Sequence, residues 1–401
     1  MDILDSLNEA QREAAQTVDG PVLMLAGAGS GKTKTLTHRI AYLLIEKKIA
    51  PGSILSVTFT NKAAAEMRER ISALMGQASD SRSFLPFLGT FHAVANRILR
   101  KEAASIGYPS NFLIYDMSDS QAVIKSILRA RRLDEKVYTP GLMLNLISSA
   151  KNELLKPSQY TNLAVGRMQE MAAEIYPSYQ AELKKAGAMD FDDMIMQLVY
   201  LLKDNADILA KYQDQFRYIM VDEYQDTNHA QYQLIRMLAA KHHNVCVVGD
   251  DWQSIYSWRG ANYENILNFE KDYPESKVVK LEQNYRSTQT ILDGAHSVIT
   301  KNLTRSDKKL WTAAGEGAKI TLETVGDEQQ EGARIVQTIG TLRSREPLLK
   351  LSDFAVLYRT NAQSRTLEEA FLRYNMPYQI VGGVRFYERK EIKDAMAYIR
   401  F

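Results

Sequence analysis

The chain contains one cysteine, Cys246, in 401 residues. That scarcity excludes a disulfide framework and a thiolate zinc site, and it suits a reducing cytosol. Six histidines show no metal-ligand spacing, and the adjacent His242 and His243 fall between a helical and a β-like run, where a solvated turn is expected. An excess of either charge is also missing. With 50 Lys and Arg against 48 Asp and Glu, the formal net charge is +2, so no global field draws the protein to nucleic acid or membrane, and any such binding has to come from local grooves. No apolar run approaches the roughly 18 residues of a membrane span. The opening, MDILDSLNEAQREAA, carries acids where a signal peptide needs a basic stretch and an apolar core. The sequence therefore reads as soluble and intracellular, with no membrane partner. What is present is globular: 45% hydrophobic and 24% charged residues, in a length that at about 150 residues per domain suggests two or three domains.

From Pro21 the sequence VLMLAGAGSGKTKTLTHRIAYLLIEKK gives a short apolar run, a glycine-rich turn, and apolar residues at Leu36, Ile40, Leu43 and Leu44, which share one helix face. ILSVTF followed by NKAAAEMRERISAL repeats the strand-then-helix pattern, and YIMVDE, NVCVVGD and KVVKL are further β-rich runs. Such alternation predicts an α/β fold with a parallel sheet covered on both faces. Between Ala93 and Leu202 the β-like runs almost vanish, which predicts a helical insertion. Within it Arg129, Arg131 and Arg132 are either a solvated face or a DNA contact. After Leu281 a second series follows: KITLETV, a helix over 327–342, DFAVLYR, a helix from Ser364, and PYQIV. The expected domains are 1–92 with 203–281, the insertion 93–202, and a second α/β domain 282–401. The last of these ends on the amphipathic EIKDAMAYIRF and reads as cut short.

Ala26-Gly27-Ala28-Gly29-Ser30-Gly31-Lys32-Thr33 matches a phosphate-binding loop with Ala26 at the first glycine. Its backbone N–H groups turn toward phosphate oxygens, the helix N-terminus adds positive dipole, Lys32 reaches the β- and γ-phosphates, and Thr33 binds Mg²⁺. Downstream, Asp222-Glu223-Tyr224-Gln225-Asp226 follows the apolar run YIMV, and acids at the carboxyl end of a parallel strand lie where open α/β sheets bind ligands. Three carboxylates in five residues repel one another unless a cation sits among them. Asp222 would hold Mg²⁺ and Glu223 would orient and activate the attacking water. A guanine-reading Asn-Lys-x-Asp is absent, since Asn61-Lys62-Ala63-Ala64 lacks the acid.

Eight segments then occur in order: LNEAQREA, TFTNKAA, GTFH, DFDDM, VDEYQDTN, VGDDWQSIYSWRGA, LEQNYRST and VLYRTNAQSR. Together they resemble the UvrD/Rep/PcrA-type DNA helicases of superfamily 1, over nearly the whole chain. The resemblance implies a RecA-like P-loop fold with a helical insertion and a second, incomplete RecA-like domain. It implies an ATP-dependent 3′-to-5′ helicase, acting on single-stranded DNA and on junctions of single and double strands, with repair or replication proteins as partners. Gln11 would read adenine and Tyr285 stack near the base, Gln253 would sense the γ-phosphate, and Arg286 would act as an arginine finger. For DNA it points to Phe59, Thr60, Asn61, His92, Tyr256, Trp258, Arg259, Arg359 and Asn361. The residues agree in part, because Tyr256 and Trp258 sit two apart in a polar loop and base stacking needs no basic global charge. Phe59 ends an apolar strand and fits core or DNA equally. Asp190, Asp192 and Asp193 read as a helix cap before catalysis.

The sequence departs from the family at Lys34, where arginine is usual, so charge is kept but the planar fork is lost. The family's Thr-x-His…Lys-Gly segment and its late Thr-Arg-like motif are not found after Lys393. The alternative expectation is a nucleotide- and DNA-binding module without motor activity.

Overall fold

The computed structural model describes residues 3–76, 84–257 and 260–381. It divides into two compact units, Met1–Lys319 and Ile320–Phe401.

The first unit is built on a parallel sheet. Its strands are β1 (Val22–Ala26), β2 (Ile54–Thr58), β3 (Leu88–Thr90), β6 (Tyr218–Val221), β7 (Val245–Gly249) and β8 (Lys277–Leu281), in the order β3-β2-β6-β7-β1-β8. Two-residue strands complete the unit: β4 (Leu113–Ile114) pairs with β5 (Ala188–Met189), and β9 (Gln283–Asn284) with β10 (Trp311–Thr312). Alternation along each strand explains why continuous apolar runs were needed. Leu23, Leu25, Leu55, Val57, Ile219, Val221, Val245 and Val247 bury into one core, while Val22, Met24, Ile54, Met220, Cys246 and Val248 bury into the other. Both faces are covered, so neither set can be polar, and each fully buried aliphatic side chain contributes about 1.5–3 kcal/mol.

Between Phe91 and Asp204 the chain is helical except for β4 and β5, as the sequence predicts. The insertion has its own core, including Ile124, Leu128, Met143, Ile147, Tyr176 and Tyr179. The helix Phe191–Asp204 joins it to the sheet's core: it packs on the helices Phe91–Glu102 and His229–Ala239, and Ile195, Leu198 and Leu202 bury into the same cluster as the strand residues.

Its N-terminus is the aspartate cluster. Asp190 is the N-cap, accepting from Asp193 N–H at 2.8 Å, while its own N–H donates to Asp193 at 3.2 Å. The capping reading thus holds, but the carboxylates do more. The fully buried Lys151 Nζ lies 2.6 Å from Asp190 and 2.9 Å from Asp193, and Tyr179 donates its hydroxyl proton to Asp190 at 2.8 Å. The cluster therefore ties the insertion's core to the helix that enters the sheet's core.

Beside it, burial and the Asp190 charge push the Asp192 carboxyl up to about 6. An unfolded Asp loses its proton near 4, so between about 4 and 6 the folded chain holds more protons and stability falls as the pH rises. Asp192→Asn is expected to flatten that fall, measured as the urea midpoint across this window.

The second unit departs from expectation. The helices Glu328–Arg345 and Ser364–Arg373 form and pack through Val336, Ile339, Ala370 and Phe371. Among the described residues, however, KITLETV, DFAVLYR and PYQIV form no strand. A strand exists only when a neighbour takes its backbone hydrogen bonds, and among the described residues these runs pair with no other strand. Leu322, Leu357 and Val381 are 93%, 94% and 89% exposed, and a cavity of 750 Å³ opens beside Phe354, Val356, Tyr358 and Ile380. The helix expected over EIKDAMAYIRF lies outside the described residues.

Candidate nucleotide site and nucleic-acid face

Ala26 ends β1, and the chain then turns through Gly27 to Gly31 into the helix Lys32–Ile45. Gly29 and Gly31 have φ of 66° and 82°, in the left-handed region that a side chain disfavours. Space is short as well: a Cβ at Gly29 would lie 2.7 Å from the Arg286 Cβ and the Asn284 amide, and one at Gly31 would lie 2.7 Å from the Gln11 amide, which would have to move. Ser30 folds inward, donating its hydroxyl proton to Gly27 carbonyl at 2.8 Å. Lys32, Thr33 and Lys34 form the first turn of the helix, and Lys34 Nζ donates to the Ser6 carbonyl at 2.5 Å. The missing guanidinium fork at Lys34 is thus replaced by a single contact to backbone.

The carboxylates emerge from the neighbouring region of the sheet. Asp222 is buried at the end of β6 and accepts from the Glu223 N–H at 3.0 Å. Burial and the Glu223 charge push its carboxyl up to about 7. Asp226 is pushed up to about 6 by burial and by Glu223, and its Oδ1 is buried without a hydrogen-bond partner. Glu223 sits at φ 49°, a strained backbone for a residue with a side chain. Its Oε2 accepts from Lys32 Nζ at 3.2 Å and from Gln225 Nε2 at 2.9 Å. The loop lysine and the strand-tip carboxylates are therefore one site.

Among the described residues no group of three or more His, Cys, Asp or Glu side chains is arranged to hold a metal ion. The oxygen donors of Thr33 and Asp222 nevertheless suit Mg²⁺, which binds through one or two protein oxygens together with phosphates. Buried carboxyls this reluctant to ionise fit a place where a cation completes the charge balance.

From the other side, β9 brings Asn284, Tyr285 and Arg286 onto the loop. Asn284 Nδ2 donates to the Ala28 carbonyl at 2.6 Å, and Tyr285 N–H donates to that of Gly29 at 2.9 Å. Asn284 Oδ1 accepts from the N–H groups of Arg286 and Ser287 at 2.8 and 2.7 Å, which fixes the turn that carries the exposed Arg286. Gln11 completes a capping box with Asn8 and donates its Nε2 to the Ser30 carbonyl at 2.9 Å. Asn8 Nδ2 reaches the Tyr285 hydroxyl at 2.8 Å. Gln253, just beyond β7, donates to Asp250. Gln11, Tyr285 and Arg286 thus stand against the phosphate loop, while Gln253 contacts Asp250 at the tip of the neighbouring β7.

The expected DNA residues divide. Thr60 caps the helix Asn61–Leu74 by accepting from Ala63 N–H at 3.1 Å, leaving Thr60 and Asn61 exposed at its start. Phe59 is half-buried, its ring 5.7 Å from that of Phe91. The structure thus gives it a core contact and an open edge. Tyr256 is 41% exposed. Trp258 and Arg259 lie outside the described residues. Arg359 and Asn361 belong to the second unit, where Arg359 N–H donates to Gln363 Oε1 at 2.9 Å and Asn361 opens a 3₁₀ turn. The arginine group at 129–132 is paired in part, Arg129 with Glu135 and Arg131 with Glu174, which favours a solvated face.

Two residues escaped the sequence reading. Phe191 is 50% exposed at the start of its helix, with its ring 5.7 Å edge-on from His92, whose imidazole burial holds below the usual pKa. Gln225 bridges Glu223 to the β7 tip, donating to Glu223 and accepting from Asp250 N–H at 2.9 Å. An aromatic at the exposed first position of a helix was the one available signal for Phe191; a glutamine between two acids gives none.

The parallel sheet, the glycine loop opening a helix and the carboxylates beside it define a P-loop nucleotide-binding protein of the RecA-like class. Residues 7–274 match the family model of the UvrD/REP helicase N-terminal domain and residues 279–401 that of the UvrD-like helicase C-terminal domain. The chain belongs to the UvrD/REP helicase family. It is 51% identical to the ATP-dependent DNA helicase PcrA of Leuconostoc citreum over 397 residues, 99% of this chain and 52% of that protein. It is also 50% identical to PcrA of Bacillus subtilis over 398 residues, 99% and 53%, and 48% identical to PcrA of Staphylococcus aureus, 99% and 54%. The chain thus spans about half the length of the relatives it matches.

Proposed function

We propose that the chain carries the ATP-hydrolysing and single-strand-binding machinery of a 3′-to-5′ DNA helicase. One observation carries the reading: Lys32 of the phosphate loop, Glu223 of the strand-tip carboxylates and Gln225 meet at one oxygen. The proposed division is 1–92 with 203–281 for nucleotide, 93–202 for the insertion and 282–401 for the second motor domain.

In this reading Gln11 and Tyr285 flank the base, the N–H groups of Ala28 to Thr33 receive phosphate oxygens, and Lys32 leaves Glu223 to meet the β- and γ-phosphates. Released from the lysine but still held by Gln225, the Glu223 carboxylate takes a proton from the attacking water. Thr33 and Asp222 would hold Mg²⁺, which supplies charge neutralisation at the phosphates. Gln253 meets the γ-phosphate and Arg286 stabilises charge developing on it. No helix among the described residues is long and apolar enough to cross a membrane.

Single-stranded DNA would run past His92, Phe191 and Tyr256. Hydrolysis by this chain is expected to rise when single-stranded DNA is added. Phe191→Ala is expected to raise the DNA concentration giving half-maximal stimulation by the equivalent of about 1–3 kcal/mol, the scale of one stacked base. Hydrolysis indifferent to DNA would overturn the motor reading, and an unchanged half-maximal concentration would remove Phe191 from the DNA path.

A further inference from the structure

A buried ion cluster lies beside the nucleotide site and has no role so far. Lys308 is buried, and its Nζ donates to Asp250 Oδ1 at 2.5 Å and to Asp251 Oδ1 at 2.8 Å, while standing 4.7 Å from the centre of the Trp252 ring. Ser306 grips the same turn. Its N–H and hydroxyl donate to the two Asp251 oxygens at 2.7 and 2.5 Å, and its carbonyl accepts the Trp252 indole N–H at 3.3 Å.

Asp250 is the point through which this cluster reaches the nucleotide site. Its Oδ2 accepts from Gln253 Nε2, and its backbone N–H donates to Gln225 Oε1 at 2.9 Å. Gln225 in turn holds Glu223. A lysine this desolvated is retained only against carboxylates. Without it, the buried Asp250 Oδ1 would keep the Trp252 backbone N–H at 3.1 Å but lose its cation, whether or not Asp251 carries a charge. Asp250 would turn away, and the Gln253 amide, anchored on its other oxygen, would turn with it.

We propose that Lys308 is a positioning residue for the triphosphate pocket: it locks the Asp250 carboxylate so that the Gln253 side chain is aimed at the terminal phosphate. The inference rests on the proposed role of Gln253. It predicts a selective defect, because a cluster that merely supported the fold would weaken all nucleotides alike, whereas aiming Gln253 matters only to a nucleotide with a γ-phosphate.

The test measures the affinities of ADP and of a non-hydrolysable ATP analogue, with Mg²⁺ present, for the 401-residue chain and for Gln253→Ala, Lys308→Met and Lys308→Arg. It includes the double variant Lys308→Met/Asp251→Asn, which removes one carboxylate with the lysine and so keeps the cluster's formal charge at the wild-type value if the single variant fails to fold. Gln253→Ala is expected to reduce the preference for the ATP analogue over ADP by about ten-fold, the scale of one lost charge-assisted hydrogen bond. Lys308→Met, or the double variant, should reproduce that loss with ADP affinity retained, and adding Gln253→Ala should lower the preference no further. Lys308→Arg should recover part of it. A normal preference in the lysine variants beside a reduced one in Gln253→Ala overturns the inference and leaves the reading of Gln253 intact. A normal preference in Gln253→Ala overturns both. Equal loss of ADP and ATP-analogue binding in a folded lysine variant assigns Lys308 to the fold alone and overturns the inference.

Discussion

Glu223→Gln is expected to lower the rate of ATP hydrolysis by about 10²–10⁴-fold, the range for loss of a positioned general base, while nucleotide binding persists. The substitution keeps the side chain's length and leaves an oxygen able to accept from Lys32 and Gln225, so the contacts at 3.2 and 2.9 Å have a substitute. What it removes is the ability to accept a proton. The backbone at φ 49° makes glutamine the right probe, because alanine would change strain and chemistry together. Single-turnover hydrolysis, paired with a binding isotherm for the same variant, separates the two effects. Hydrolysis within a few-fold of wild type would show that the water is activated elsewhere, and Asp226, with its unpartnered buried oxygen, would then be the next residue to change.

The largest effect on stability is expected at a residue far from the nucleotide. Lys151→Met leaves Asp190 and Asp193 buried without their shared cation, and breaking a buried pair in this way costs about 3–5 kcal/mol. Part of that cost belongs to the abandoned carboxylates, so the double variant Lys151→Met/Asp193→Asn should recover stability although it deletes one more charged group. Urea unfolding of the single and double variants measures both effects. A loss below about 1 kcal/mol, the scale of a surface pair, would mean that water or a rearranged side chain solvates the aspartates. Because this cluster joins the insertion to the helix that enters the sheet's core, its loss should also make the insertion unfold separately from the sheet, visible as two transitions in place of one.

The sequence exposed the phosphate loop because glycine spacing has a direct backbone meaning, borne out at Gly29 and Gly31. It exposed five of the sheet's six strands because strands buried on both faces are written as unbroken apolar runs such as VLMLA and VCVVG, whereas the three-residue Leu88–Thr90 is too short to show such a run. In the second unit the same kind of run forms no strand among the described residues, since an apolar run states a wish for a partner and not the presence of one. Lys151, Lys308 and Gln225 were illegible for another reason. A buried polar residue is defined by partners brought from distant segments, 39 residues away for Asp190 and 58 for Asp250, and no local pattern records them. Phe191 was read past because its neighbours, Asp190 and Asp193, explained the segment as a helix start.

In the sheet order, β6, β7, β1 and β8 are adjacent, and their carboxyl ends lead respectively to Asp222 and Glu223, to the Asp250–Gln253 turn, to the phosphate loop, and to Asn284 and Arg286. Neighbouring strands lie about 4.8 Å apart, so the four ends form a row about 14 Å long. The sheet is therefore a ruler for the proposed reaction. Slipping any one strand by a single residue would shift its tip by about 3.3 Å and turn its buried side chains to the opposite face. Residues such as Val247 or Met220, which touch nothing chemical, set the spacing of the groups that do.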